Sequence, residues 1–180
     1  MIQRFFLILG LLWPGIALAN DWDALERPGA FAIMRHALAP GIGDPPGFTL
    51  GACDTQRNLD DQGREQASRI GEAFRDRGHG FDVVLTSQWC RCRETADLLG
   101  LGPVRDVPAF NSFFRDVSAR DRQTRTALEV LKDTSDRPFI VTHQVNIRAL
   151  TGRTTRSGEV LVVRLADDRL EVLGSILFEP

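Results

Sequence analysis

The sequence predicts an α/β protein: a three-layer α/β/α sandwich whose central sheet is mostly parallel and carries an antiparallel hairpin at its C-terminal edge. Two observations lead to this fold class. From residue 28 onward, apolar strand-like runs alternate with segments of helical periodicity. The chain then ends in two β-rich runs separated by the turn-like residues 166–169, the pattern of a hairpin. Strands that alternate with helices favour parallel pairing, because each crossover helix returns the chain to the same end of the sheet.

The predicted elements follow one another without repeats or low-complexity linkers. The strand-like runs cover residues 31–35, 81–86, 104–107 and 138–142, followed by hairpin strands at 159–165 and 170–178. The helix-like segments cover residues 63–77, 89–99, 122–132 and 145–150. In the first of these, Ala67, Ile70 and Phe74 share one face at helical spacing. Residues 39–47 are rich in Gly and Pro and predict a loop, whereas residues 109–121 are irregular and aromatic.

The first 19 residues have the features of a secretory signal peptide. Arg4 supplies a positive start, residues 5–16 are apolar, and residues 17–19 form a small-x-small cleavage site. We expect cleavage near Ala19–Asn20, which leaves residues 20–180 as one domain that is periplasmic or secreted and has no stable membrane insertion. The apolar stretch is shorter than the roughly 20 residues that span a bilayer. An uncleaved anchor is the alternative interpretation.

Charge and cysteine content exclude several classes of protein. The formal net charge of −2 argues against general nucleic-acid binding, which usually needs a basic surface. In an oxidising compartment, Cys53 can pair with Cys90 or with Cys92; the sequence does not choose between them, and three buried thiols are the alternative. A cysteine phosphatase is excluded because no arginine lies six residues after any of the three cysteines. The spacing of Cys and His residues does not indicate a zinc site.

Three of the predicted strands end in chemically active side chains. Arg35 and His36 end the first, Ser87 follows the second, and His143 follows the strand at 138–142. Ligands of open α/β sheets bind beyond the carboxyl ends of the strands, so these residues are expected to share one rim. Arg91 lies one helical turn after Ser87. Arginine pairs with phosphate through two hydrogen bonds, and a neutral imidazole is a nucleophile. The pattern therefore indicates chemistry on a phosphomonoester.

Four ordered motifs resemble those of one family, the histidine phosphatase superfamily, also called phosphoglycerate mutase-like. The motifs are Arg35-His36-Ala37, with Ala in place of the usual Gly; Leu59, Gly63, Gln66 and Ala67; Ser87, Arg91, Thr95 and Ala96; and His143 before a short helix. The resemblance spans about residues 30–152. It implies that the chain is a phosphatase.

The resemblance also implies a role for each site residue. His36 would attack phosphorus and become phosphohistidine, while Arg35, Arg91 and His143 would hold the transferring oxygens. Arg57 and Ser87 would contribute to substrate binding. No metal or other cofactor is expected, because fixed side-chain cations take the place of a metal ion.

The carboxylic acid that the family uses to protonate the leaving group is not evident. Some members have aspartate directly after the second histidine, where this chain has Gln144, and others have glutamate where this chain has residues 110–112. Asp116 is the first candidate proton donor and Asp106 the second; both also fit solvated surface carboxylates. Phe113 and Phe114 fit either a substrate mouth or the core.

The sequence therefore predicts a metal-independent phosphomonoester hydrolase with a phosphohistidine intermediate. Its expected substrate is a phosphorylated small molecule or an envelope sugar or glycan. The missing acid leaves a second interpretation, a catalytically silent family member that binds anions in the envelope. A third is a phosphohistidine protein phosphatase, against which the signal peptide argues, because phosphorelay proteins are cytoplasmic.

Overall fold

Six strands and four α-helices build the fold in the computed structural model, which describes residues 20–178. The strands are β1 (Ala30–Arg35), β2 (Val83–Thr86), β3 (Val104–Asp106), β4 (Pro138–Thr142), β5 (Glu159–Leu165) and β6 (Leu170–Leu177). The helices are α1 (Asp61–Asp76), α2 (Cys90–Leu99), α3 (Arg120–Lys132) and α4 (Gln144–Thr151). The predicted signal peptide, residues 1–19, lies outside the described residues. Within those residues, no helix has the length and apolar character that crossing a membrane requires.

The strands form one mixed sheet in the order β3-β2-β4-β1-β5-β6. The first four strands in this order pair in parallel, and the β5–β6 hairpin is added antiparallel to β1 at one edge. The mostly parallel sheet with an antiparallel edge hairpin is thereby confirmed. The register pairs Arg35 with Thr142 and Thr86 with Val141. Strands β1, β2 and β4 therefore end at the same rim of the sheet.

Helices cover both faces of the sheet, which confirms the predicted three layers. On one face, Ile70 and Phe74 of α1 and Leu99 of α2 pack with apolar residues of the sheet. On the other face, Leu128 of α3 and Ile147 of α4 do the same. The central strand β4 is buried along its whole length, because its side chains point alternately into these two cores.

The ends of several elements differ from the prediction by two residues. Helix α1 begins at Asp61 rather than at 63, because the Asp60 side chain caps it by accepting a hydrogen bond from the Gly63 N–H at 2.8 Å. Helix α3 begins at Arg120 rather than at 122, directly after a 3-10 turn at Val117–Ala119. Strand β2 begins at Val83 rather than at 81, since the Asp82 N–H donates to the Arg137 carbonyl before the ladder starts.

The start of the described chain lies along the outer strand of the sheet. The Asp21 N–H donates to the Ser175 carbonyl at 3.0 Å, and the Asn20 side chain accepts from the Leu177 N–H at 2.8 Å. A 3-10 turn at Trp22–Glu26 then leads into β1. These contacts satisfy backbone groups of β6 that an open sheet edge would leave unpaired.

Candidate active site

The predicted site residues meet at the rim where β1, β2 and β4 end. A cavity of about 340 Å³ opens there, and its wall contains Arg35, His36, Arg57, Arg91, His143 and Asp116. The rings of His36 and His143 lie 5.7 Å apart, measured between their centroids. The long loop between β1 and α1 and the segment between β3 and α3 complete the wall. Residues far apart in sequence thus enclose one space.

His36 is held as a neutral imidazole whose Nε2 is unprotonated and accepts a hydrogen bond from Arg35. Its Nδ1 lies 2.8 Å from the Ala37 carbonyl, and because a carbonyl only accepts, Nδ1 carries the proton. Nε2 then keeps its lone pair, with Arg35 Nε 3.5 Å away. Burial lowers the pKa of His36 well below 6.5, and His143, Arg35 and Arg91 lower it further. An unprotonated Nε2 beside an arginine is the arrangement that a nucleophile for phosphate requires.

A chain of hydrogen bonds through Ser87 to Asn111 orients His143. Its Nε2 lies 2.8 Å from Ser87 Oγ, and Ser87 Oγ lies 3.2 Å from Asn111 Oδ1. Asn111 Oδ1 is fixed as an acceptor because it also receives the Gln88 N–H at 2.9 Å. Ser87 therefore donates to Asn111 and accepts from His143. Ser87 is fully buried and is not part of the cavity wall, so it contacts His143 rather than the cavity.

Burial also lowers the pKa of His143 well below 6.5, and the nearby Arg91 lowers it further while Asp44 opposes the shift. Both histidines at the rim are therefore neutral at pH 7. The positive charge of the cavity comes from its arginines.

Arg35, Arg57 and Arg91 concentrate positive charge on the wall. Burial lowers the pKa of Arg57 to about 10, with further contributions from Arg91 and Arg35. Burial and Arg91 lower the pKa of Arg35 as well. Arg57 is anchored by its own loop, since its Nε donates to the Gly43 carbonyl at 2.8 Å. Such a cluster is stable only where anionic groups balance it.

Asp44 provides a balancing charge that the sequence analysis missed. Its carboxylate accepts from Arg91 Nη1 at 2.7 Å and Nη2 at 3.3 Å, and from Trp89 Nε1 at 3.1 Å. Burial would raise the pKa of Asp44, but the hydrogen bonds from Arg91 and Trp89 outweigh it and hold that pKa below its usual value. Nothing in the Gly- and Pro-rich sequence around Asp44 marks it, because its partners lie more than forty residues away along the chain.

Two helices hold the segment that follows His36. Thr95 Oγ1 on α2 accepts from the Ala37 N–H at 3.0 Å and donates to the Arg91 carbonyl at 2.7 Å. Gln66 Oε1 on α1 accepts from the Leu38 N–H at 3.0 Å. A Cβ on Gly63 would lie 1.9 Å from the Leu38 carbonyl oxygen, so only glycine allows this approach. The Gly63–Gln66 and Arg91–Thr95 motifs therefore serve to fix the backbone beside His36.

A disulfide joins the loop before α1 to the start of α2. It links Cys53 to Cys90, which decides between the two pairings that the sequence left open. Gln56 Oε1 strengthens the same junction by accepting from the Cys90 N–H at 3.0 Å. Cys92 is a free, buried thiol, and burial raises its pKa to about 12. The disulfide thus fastens the segment that carries Arg57 next to the helix that carries Arg91.

The carboxylates considered as proton donors lie in different places. Asp116 is exposed at the cavity wall and accepts a hydrogen bond from Ser118 Oγ. Asp106 forms an ion pair with Arg93 and is not part of the cavity wall. Gln144 lines the cavity but is an amide, which carries no acidic proton. Among the carboxylates of residues 20–178, Asp44 and Asp116 are those on the wall.

Aromatic side chains line part of the cavity. Phe48 stacks on Trp89 with ring centroids 5.1 Å apart, and Phe114 is 57% exposed at the mouth. Phe113 is buried, so the two adjacent phenylalanines divide between the core and the mouth. Within the described part of the chain, no group of three or more His, Cys, Asp or Glu side chains is arranged to hold a metal ion.

One family model matches part of the chain. The model of the histidine phosphatase superfamily (branch 1) matches residues 32–114, which include His36, Arg57 and Arg91. A search of curated proteins gives no significant match.

Solved structures share the fold at low sequence identity. A candidate phosphohistidine phosphatase, SixA, from Agrobacterium tumefaciens is similar with a TM-score of 0.60 and 18% identity, over 85% of this chain and 100% of that one. The protein histidine phosphatase SixA in complex with tungstate gives 0.58 and 16%, over 82% and 96%. A phosphoserine phosphatase mutant from Entamoeba histolytica, in complex with phosphoserine, gives 0.58 and 11%, over 82% and 96%. The family match over residues 32–114 and the motifs at the rim support the assignment of the chain to the histidine phosphatase superfamily and to the phosphatases, and the solved structures share its fold.

Proposed function

We propose that the protein is a phosphomonoester hydrolase that acts outside the cytoplasm, needs no metal ion and uses His36 as its nucleophile. The observation that carries the proposal is the fixed tautomer of His36. Its Nδ1–H is held by the Ala37 carbonyl, and its Nε2 lone pair is beside Arg35. An imidazole kept neutral and oriented in this way is ready to attack phosphorus.

In the proposed reaction, the His36 Nε2 lone pair forms a bond to phosphorus while the bond from phosphorus to the leaving oxygen breaks. Arg35, Arg57 and Arg91 supply positive charge on the wall where negative charge develops, and His143, whose Nε2–H is donated to Ser87, lines the same cavity. Water then attacks the phosphohistidine, its proton passes to bulk solvent, and phosphate leaves with Nε2 restored. The leaving oxygen takes its proton from Asp116 or from solvent. If no acid assists, substrates with stable leaving anions react fastest.

The shape and lining of the cavity support a small ring-bearing substrate. The wall combines arginines with the aromatic side chains of Phe48, Trp89 and Phe114, of which Phe114 is exposed. Aromatic faces pack well against flat apolar surfaces, which include aryl groups and the faces of sugar rings. The substrate class is therefore a phosphorylated small molecule, including an envelope sugar or glycan.

Dephosphorylation of phosphohistidine in a protein is the second candidate function. The structural likeness to SixA and the exposed position of Asp116 favour it. Cleavage of a phosphorus–nitrogen bond releases an imidazole, which is a better leaving group than an alkoxide and needs less help from an acid.

The test is phosphate release from p-nitrophenyl phosphate, a panel of sugar phosphates and a phosphohistidine peptide, with and without EDTA. We expect turnover that EDTA does not reduce and that His36→Ala lowers by at least about a thousandfold. Phe114→Ala is a second variant, which tests the contribution of the exposed aromatic side chain to substrate binding. It should raise KM for the aryl and sugar substrates several-fold and leave inhibition by inorganic phosphate unchanged.

Three outcomes would contradict parts of the proposal. Loss of turnover in EDTA would exclude the metal-independent mechanism. A folded protein that binds phosphate but hydrolyses none of the substrates would favour a silent, anion-binding family member. Turnover of the phosphohistidine peptide alone would favour the second candidate function.

A further inference from the structure

The guanidinium of Arg91, which the proposed function assigns to substrate phosphate, is already occupied by a carboxylate. Nη1 and Nη2 meet the two oxygens of Asp44 end-on, and Nη1 also donates to the Arg57 carbonyl at 3.2 Å. The Arg91 side chain is 4% exposed and that of Asp44 is 10% exposed. Substrate phosphate therefore meets this pair, and not a free arginine, at the wall of the cavity.

Asp44 sits in a set of donors that would suit any anion. Besides Arg91, the Trp89 indole N–H donates to its Oδ2 at 3.1 Å and the Arg57 backbone N–H donates to its Oδ1 at 3.2 Å. A guanidinium, an indole and a backbone amide that converge on two oxygens form a charge-assisted anion site. The loop between β1 and α1 thus places the Asp44 carboxylate on Arg91, the arginine that the proposed function assigns to substrate phosphate.

The carboxylate satisfies Arg91 incompletely. Arg91 Nε is buried and has no hydrogen-bond partner among residues 20–178. A carboxylate has two oxygens that can accept hydrogen bonds, whereas a phosphate monoester has three. After the side chains adjust, a phosphate could therefore also accept a hydrogen bond from Arg91 Nε.

The charges of the site also match a dianion. The four arginines of the wall, Arg35, Arg57, Arg91 and Arg115, and its two carboxylates, Asp44 and Asp116, leave two net positive charges beside two neutral histidines. A phosphate monoester carries close to two negative charges above pH 7, whereas a phosphodiester or a carboxylate carries one.

We propose, on the basis of the proposed function, that Asp44 is a specificity-determining residue: an internal competitor for Arg91 that a phosphate dianion displaces and a singly charged anion does not. A monoanion that replaced Asp44 would exchange one carboxylate-like charge for another and would also have to be desolvated. A dianion gains stronger attraction to the arginines of the wall. The contact therefore selects monoesters over diesters.

The test is Asp44→Asn in the full protein, with binding of inorganic phosphate and of dimethyl phosphate measured by titration calorimetry at pH 8. Asparagine keeps one acceptor oxygen, for either the Trp89 indole N–H or the Arg57 N–H, and loses the charge that holds Arg91. We expect phosphate to bind roughly tenfold more tightly, a coupling within the usual range between two ligands. Dimethyl phosphate should bind measurably to the variant and not to the wild type.

Asp54→Asn is the matched control, because Asp54 lies on the same loop, is exposed and is not part of the cavity wall. It should leave both affinities unchanged. If Asp44→Asn does not fold, Trp89→Phe removes one donor to the carboxylate and should tighten phosphate binding by roughly threefold.

Weaker or unchanged phosphate binding in Asp44→Asn would overturn the proposal, since it would make Asp44 a fixed support for Arg91. Because these experiments measure binding, they are independent of turnover. Tighter binding in a variant of a protein that hydrolyses no ester would support the role of Asp44 and contradict the proposed function.

Discussion

At the scale of single residues, the site depends on two histidines kept neutral by their surroundings. Burial is the main cause of the low pKa of both His36 and His143, and the arginines add to it. A histidine that is neutral in the folded state and has an ordinary pKa when unfolded takes up its proton more readily on unfolding. Such a histidine stabilises the fold above about pH 6.5, and this contribution is lost as pH falls below that value.

We therefore expect the free energy of unfolding to fall between pH 7.5 and pH 5.5 by about 1.4 kcal/mol for each of the two histidines. Urea denaturation at the two pH values measures this change. The His36→Asn variant has only one of the two histidines that take up a proton on unfolding, so the pH dependence of its free energy of unfolding should fall to about half. An equal pH dependence in wild type and variant would show that His36 is not held neutral by the fold.

The motifs predicted most of the residues that meet at the rim, because each motif residue follows a strand or faces it from a helix. Asp44 and Asn111 were not predicted. Asp44 acts across 47 residues on Arg91, and Asn111 acts across 24 residues on Ser87. Both lie in segments without regular structure, where no periodicity shows which way a side chain points.

At the scale of elements, helix α1 supports the site through its first turns. Gly63 brings the helix against the Leu38 carbonyl, and Gln66 binds the Leu38 N–H two residues after His36. A clash at Gly63 would push the helix away from backbone atoms, which cannot turn aside as a side chain can. Such a shift of α1 would also displace the backbone beside His36, the proposed nucleophile.

Gly63→Ala should therefore destabilise the protein by about 2 kcal/mol or more, as overpacking does, and should lower turnover of p-nitrophenyl phosphate. Gly80→Ala is the matched control because a Cβ at Gly80 meets nothing within 4 Å. It should change stability by less than about 0.5 kcal/mol. Thermal unfolding and steady-state kinetics test both variants, and equal effects at the two positions would contradict the packing argument.

The order and type of the long elements could be predicted from the sequence because their apolar periodicity is strong. Their exact ends depended on contacts that periodicity does not contain, such as the Asp60 cap on α1. The turn at Trp22–Glu26 and the pairing of Asn20 and Asp21 with β6 were not predicted, since they rest on contacts across more than 150 residues.

At the scale of the whole molecule, the disulfide bears on the proposed export of the chain. The bond between Cys53 and Cys90 needs an oxidising compartment to form and persist, and the predicted signal peptide would deliver the chain to one. We expect the exported protein to begin at Asn20. Intact-mass and N-terminal sequencing of protein recovered from the periplasm or medium would test this, and a retained Met1 would contradict cleavage.

Trp89 gives the protein an optical reporter of its own site. Its indole N–H donates a hydrogen bond to the Asp44 carboxylate. Its ring stacks on Phe48, and its ring centroid lies 5.3 Å from that of His143. Indole emission responds to the charge and hydrogen bond at its N–H, so the departure of the carboxylate would shift the fluorescence of the unlabelled enzyme. Trp22 packs against Phe74 and Phe178, away from the cavity, and supplies a constant background. Stopped-flow mixing with phosphate could then follow the opening of the site in real time, before any bond to phosphorus is broken.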